Sequence, residues 1–215
     1  RTFASQLLLP IVFLWSFYFK KINKKKVFIF FSISILLMWT VQKKRSGASI
    51  QIPDNPVTVI SDLIIPIRST YSSLEYVDRF GYSYGMTMST NLIGIIPSLE
   101  RLLTTNFGFT FDDFSSAGTL TRYTLGKTRT VGLGTTIIAD IYLSFGILGI
   151  VICMYILGYF VKKTFYGSIN LNYYSIISYT VMASFSVFLV RTSYTDPIKL
   201  LIWCYIIANL NKKLV

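Results

Sequence analysis

Apolar residues gather along this chain into five blocks, at residues 3–19, 27–41, 136–161, 173–190 and 197–210. A helix that crosses the hydrocarbon core of a bilayer needs about 20 mainly apolar residues. Backbone in lipid must also satisfy its own hydrogen bonds, which leaves helices or a closed barrel. The blocks lack the alternation of barrel strands, so the pattern predicts about five spanning helices. The second and fifth blocks are short and need flanking Thr, Gln or Asn to complete a span.

Between the second and third blocks lies a stretch too long for an ordinary connection, residues 42–135. It divides the chain into a large outer loop and a C-terminal helical part, 136–215, within one membrane domain. Inside the loop, "PVTVISDLIIPIRSTY" (56–71) is apolar for only about ten residues and is cut by Pro66. That length suits an interfacial or re-entrant helix rather than a span. "GYSYGMTMSTNLIGIIPSL" (81–99), rich in small and hydroxyl residues and ended by Pro97, predicts a second half-helix at membrane depth. Between them Arg68, Tyr71 and Glu75 stand at i, i+3 and i+7, one face of a helix. Aromatics with mixed charge there fit a sugar-binding cleft and an ordinary interfacial belt equally well. The Gly-, Ser- and Thr-rich run 104–134 has no sustained period and predicts an irregular external loop, with Asp112 and Asp113 in a turn.

Composition agrees with the membrane reading. The 215 residues are 53% hydrophobic and 14% charged, against about 25% charged in soluble domains. The lysines sort the topology: "KKINKKK" (20–26), Lys162 with Lys163, and Lys212 with Lys213 alternate with the blocks. Placing them all in the cytoplasm satisfies the positive-inside rule and puts the C-terminus inside. In contrast "QKKRSG" (42–47) places three basic residues just outside a helix. That suits anionic headgroup or pyrophosphate binding, or a misplaced second span. The chain opens at Arg1 with no cleavable signal, and is expected to be the C-terminal part of a longer protein.

Charge also narrows the chemistry. All eight arginines and all nine acidic residues fall on the outer side in this topology. Arginine's planar fork suits bidentate recognition of phosphate or carboxylate, which makes the outer arginines candidate anion contacts. The alternative is that they only solubilise a long loop. The chain has no histidine, which removes His-based catalysis and most zinc chemistry. Cys153 and Cys204 lie inside apolar blocks and read as packing residues. No metal or cofactor is expected. The net charge of +12 comes largely from lysine caps, so no nucleic-acid partner is expected either.

One carboxylate stands out. In "VGLGTTIIADIYLSFGILGI" (131–150), Asp140 sits near the start of a long uncharged run, where a charge at a helix centre costs roughly 2.5–3.5 kcal/mol. About one turn from the outer end it can face a water-filled cleft, favoured by the helix N-terminus. Arg191, in "VRTSYTDP" (190–197), stands at the outer end of the next block. It either contacts an anion or pairs with Asp196 to close a hairpin.

These residues carry a resemblance. The 131–158 segment is similar to a Gly-x-Gly, acidic-x-Tyr-x-x-Phe-Gly-x-x-Gly segment of bacterial oligosaccharide repeat-unit polymerases, the O-antigen and capsule polymerases called Wzy. The matching positions are Gly132, Gly134, Asp140, Tyr142, Phe145, Gly146 and Gly149, with Asp140 where the family pattern has Glu. The 81–97 segment resembles the Tyr-Gly…Pro stretch of the same proteins. The resemblance implies an all-α, polytopic, GT-C-like membrane enzyme of the bacterial cytoplasmic membrane. Its substrates would be undecaprenyl-diphosphate-linked oligosaccharides, joined by inverting transfer at the outer face into O-antigen, capsule or exopolysaccharide. A chain-length regulator and a flippase would act alongside, with membrane lipids as surroundings. In that frame Asp140 positions the acceptor or an arginine, or only stabilises a helix start. Arg191 then serves catalysis, Arg45, Arg68, Arg79, Arg122, Arg129 and Tyr142 bind substrate or diphosphate, and Gly132, Gly134 and Gly146 are motif glycines.

Other classes fit less well. A lipid-glycan flippase or transporter would carry internal repeats and charges inside several spans. A related ligase would bring a catalytic histidine, while a non-enzymatic scaffold stays open.

Overall fold

The computed structural model describes residues 57–96, 98–126, 132–186 and 191–214. The chain divides into two units, Arg1–Ser61 and Asp62–Val215, and the second holds nearly all of these residues. The predicted blocks at 3–19 and 27–41, with Arg45 and Arg129, lie outside them. Among the described residues every regular element is helical. In chain order they are α1 (Val57–Phe80), a 3-10 turn (Met86–Met88), α2 (Thr90–Ile93), α3 (Leu99–Phe107), α4 (Phe111–Phe114), α5 (Ser116–Leu125), α6 (Ile137–Ile169), α7 (Tyr173–Ser186) and α8 (Asp196–Leu214).

The long loop is more ordered than its pattern predicts. Pro66 does not cut α1, which runs on through 24 residues. A proline inside a helix forfeits one backbone hydrogen bond and kinks it, a cost that a long helix can absorb. The expected face holds: Arg68, Tyr71 and Glu75 are all exposed, while Ser69, Ser72, Ser73 and Val77 are buried. The 81–99 stretch is not a half-helix but turns and the single-turn α2. The 104–134 run carries three short helices. There Asp113 closes a capping box on Thr110, while Arg122 binds Asp113 at 2.8 Å.

Among the described residues α6 alone is long and apolar enough to cross a membrane, with 33 residues. Its outward side chains are apolar: Ile147, Leu148 and Tyr155 are 70%, 76% and 74% exposed. Apolar residues shown to the surroundings at this density suit a helix that crosses a membrane. It runs past Lys162 and Lys163 before turning at Leu171, which has a positive φ of 57°. Asn172 then caps α7, its Oδ1 accepting the Tyr174 N–H at 3.2 Å. The α7 and α8 helices occupy the fourth and fifth predicted blocks. Val181, Met182, Phe185 and Leu201 form their common core against Leu157, Phe160 and Val161 of α6. Cys153 and Cys204 are free thiols in packed surroundings, as their apolar settings predicted.

Above this apolar part, hydroxyl groups join the pieces. Thr70 of α1 meets Thr136, the N-cap of α6, at 3.0 Å, and Thr124 of α5 donates to Ser72 of α1 at 3.0 Å. Leu133 N–H donates to Thr121 Oγ1 at 3.1 Å, which fixes the approach to α6. Small hydroxyl residues let backbones come close and bond across, the packing mode that works where an apolar driving force is weak.

Candidate functional site

The start of α6 is built from the bottom up by three features. Thr136 caps it, accepting the Ala139 N–H at 3.0 Å, so one orphan amide of the first turn is satisfied. Gly134, at φ +74°, turns the chain into that cap. Two turns further on, Gly146 (φ 69°, ψ −160°) interrupts the helix. A residue bearing a Cβ avoids that conformation, and here a Cβ would also stand 2.8 Å from the Tyr82 hydroxyl.

The interruption is where the two resembling segments meet. Freed by the kink, the carbonyls of Leu143 and Ser144 accept the N–H groups of Ser83 and Tyr84 at 2.9 and 3.1 Å. Ser83, Thr87 and Ser144 close the joint with their hydroxyls at 2.8 to 3.4 Å. Thus "GYSYG" lies along the bend and sets the direction in which the first turns of α6 point.

Those turns carry Asp140, which is wholly buried. Its Oδ2 accepts the backbone N–H of Tyr194 at 2.8 Å, tying α6 to the loop before α8. The Tyr194 hydroxyl donates to the Cys153 carbonyl at 3.0 Å, so the loop is held at two heights on α6. The Ser116 hydroxyl faces the same carboxylate. Neither Ser116 Oγ nor Asp140 Oδ1 has a partner within hydrogen-bonding geometry, and the same is true of the buried Thr192 Oγ1. Leaving a buried polar atom unpaired costs about 1–3 kcal/mol, a cost that an ordered water, an ion or a ligand relieves.

Ser116 and Thr192 open onto one cavity of about 260 Å³. Four stretches line it: Met88, Thr90 and Asn91; Ser115, Ser116 and Ala117; Gly134 and Thr135; and Arg191, Thr192, Ser193, Thr195 and Asp196. The ends of α5, α6 and α8 all meet here. Asn91 is the clamp, its amide donating to Asp196 Oδ1 at 2.5 Å and to Ser193 Oγ at 3.0 Å. Asp196 also accepts from the Ser193 amide at 2.9 Å. Arg79 pairs with Glu75 and Arg122 with Asp113, and Asp196 is held by Ser193 and Asn91 rather than by Arg191.

The predicted residues therefore separate. Arg191 and Gly134 line the cavity, Arg191 exposed at its rim, while Asp140 is buried behind Ser116 and outside the lining. Arg68 is exposed on α1, and Arg79 and Arg122 are engaged in ion pairs away from the lining. Tyr142 packs against Val77, Leu120, Ala139 and Leu143. Gly132 is exposed with open space around it, and Gly146 acts through the bend. Ser116, Thr192 and Asn91 do not stand out in the sequence. Single Ser, Thr and Asn residues carry no spacing signal that separates them from their many neighbours.

A family model described as O-antigen polysaccharide polymerase Wzy matches residues 4–210. That is nearly the whole chain, and the chain belongs to this family. No curated protein and no solved structure matches it.

Proposed function

We propose that this member of the O-antigen polymerase family joins lipid-linked oligosaccharide repeat units at the outer face of the bacterial cytoplasmic membrane. The observation that carries the reading is the hydroxyl-lined cavity beside Asp140, with Arg191 at its rim and three buried oxygens awaiting partners. A hydroxyl of the acceptor repeat unit attacks the anomeric carbon of the donor glycan. The new C–O bond forms as the bond to the undecaprenyl diphosphate oxygen breaks, with inversion. Negative charge grows on the departing diphosphate, and a cation beside it lowers the barrier. Arg191 is the cation assigned to that task.

Asp140 is assigned to orienting the acceptor hydroxyl and taking its proton, through Ser116. The serine has one hydrogen and two lone pairs, so it donates to Asp140 while accepting from a sugar O–H. A positioned base of this kind contributes roughly 10²–10⁴-fold in rate. The lysines at 162 and 163 lie at the cytoplasmic end of α6 in this reading.

The test is complementation of a polymerase-deleted strain of the source organism with the full-length gene. A surface-glycan ladder of many repeats supports the reading. A single repeat only, or lipid-linked repeats held on the cytoplasmic side, rejects it, and the second result points to a flippase.

A further inference from the structure

We infer that the cavity is a subsite for one uncharged sugar ring, chosen through Ser116 and Thr192. The inference takes its substrate class from the polymerase reading and adds which part of the substrate sits here and which sugars it refuses.

Size comes first. A cavity of about 260 Å³ has room for a sugar ring.

The hydrogen-bond inventory comes next. Most hydroxyls of the lining are already committed within the protein. Thr90 donates to the Phe114 carbonyl, Thr195 donates to the Met88 carbonyl at 2.9 Å, and Ser193 donates to Asp196 at 2.6 Å. Ser115 accepts the Gly118 N–H at 3.3 Å as the cap of α5. Thr192 Oγ1 is the one left over without a partner, 7% exposed by residue, and Ser116, 2% exposed, faces only the Asp140 carboxylate and keeps its lone pairs to accept. A buried hydroxyl both donates and accepts, which matches a sugar hydroxyl and not an apolar ligand.

Charge decides between neutral and acidic sugars. Three helix N-termini meet here, and alone they would favour an anion. Each is answered internally, α5 by Ser115, α6 by Thr136 and α8 by Asp196. With Arg191 at the exposed rim, the carboxylate on the lining is that of Asp196, and the carboxylate of Asp140 lies behind Ser116. A uronic acid would add a third negative charge to that group, whereas a neutral hexose or N-acetylhexosamine adds none.

The experiment uses the purified full-length protein in detergent, titrated with galactose, N-acetylgalactosamine and glucuronate and followed by ligand-observed NMR. The proteins are wild type, Thr192→Val and Ser116→Ala. Thr192 Oγ1 has no partner to lose, so T192V keeps the wild-type melting temperature and serves as the folded control. The expected result is binding of a neutral sugar that weakens about five- to tenfold in each variant, the loss of one hydrogen bond. Glucuronate binds more weakly than either neutral sugar. Neutral-sugar binding unchanged in both variants, absent in wild type, or weaker than glucuronate binding overturns the inference. If wild type still builds a ladder in any of those cases, the polymerase reading stands alone. If the sugar result holds but no ladder forms, the subsite stands and the polymerase reading falls.

Discussion

The Asp140 carboxylate and the Tyr194 backbone amide meet at 2.8 Å across 54 positions of sequence. The bond joins the first turn of the membrane helix to the loop that lines the cavity, so one side chain serves both fold and site. The two roles separate by substitution. Asp140→Asn keeps an oxygen for the Tyr194 N–H and removes only the charge. Asp140→Ala leaves that amide unpaired, at about 1–3 kcal/mol. We expect D140N to reach near-normal membrane levels with the glycan ladder lost, and D140A to lose protein as well. Immunoblotting of membranes beside the ladder gel reads both. A full ladder from D140N would return Asp140 to a purely structural role.

Gly146 and Tyr82 provide a second separation. In Gly146→Ala the new Cβ meets the Tyr82 ring and hydroxyl at 2.8–3.0 Å. It must also hold φ 69°, ψ −160°, a region essentially reserved for glycine that costs about 1–3 kcal/mol. Gly146→Ala is expected to lower the melting temperature clearly. Adding Tyr82→Ala removes the clash but not the backbone strain, so the double variant recovers part of the loss. A melting series in detergent measures the coupling, and simple additivity of the two changes would mean that Tyr82 does not press on the bend.

The arginines are expected to differ among themselves. Arg191 lines the cavity, while Arg79 sits in an exposed i,i+4 pair with Glu75, a contact worth about 0.2–1 kcal/mol. Arg191→Ala is expected to shorten or abolish the ladder, Arg191→Lys to restore part of it, and Arg79→Ala to leave it unchanged. Lysine keeps the charge but lacks the planar fork, so the partial rescue reports on diphosphate contact. Equal losses from R191A and R79A would argue for a diffuse charge effect.

The Asp113 carboxylate predicts a pH dependence. Burial pushes its pKa up, but the Thr110 amide and hydroxyl and the Arg122 guanidinium outweigh burial and hold it below the ordinary 3.8. A carboxylate with a lowered folded pKa stabilises the fold above its unfolded pKa. That contribution fades as pH falls through the folded value. The melting temperature of wild type should exceed that of Asp113→Asn near neutrality, and the gap should close as pH falls below about 4. A gap that stays constant down to pH 3 would show that the capping geometry, and not the charge, stabilises α4.

How much of this was readable in the sequence depended on range. The α6 helix announced itself by length and apolarity, and Asp140, Gly134 and Arg191 by standing where a charge or a turn was conspicuous. The 104–126 region did not, because its helices rest on contacts such as the Thr119 hydroxyl on the Asp112 carbonyl at 2.7 Å rather than on periodicity. The bend at Gly146 was invisible for a similar reason. Glycine permits it, but the amides of Ser83 and Tyr84, some 60 residues upstream, decide it. Ser116 and Thr192 gain meaning only from lacking partners, a property of the folded chain.

Membrane placement makes the last prediction. In the proposed topology Tyr84 faces the outer aqueous side, Leu148 faces lipid, and Lys163 lies in the cytoplasm. Tyr84 is 82% exposed and Leu148 76%, so exposure to solvent alone would label both equally. Single cysteines at these three positions, with Cys153 and Cys204 replaced by serine or alanine, can be challenged with a membrane-impermeant maleimide on cells with an opened outer barrier. Tyr84→Cys is expected to react at once and Lys163→Cys only after the inner membrane is breached. Leu148→Cys should resist both treatments, because a thiol in hydrocarbon neither ionises nor meets the reagent. Labelling of Leu148→Cys without detergent would take α6 out of the bilayer. Reversal of the other two would keep the span and turn the cavity to the cytoplasmic face, where polymerisation on the outer side could not use it.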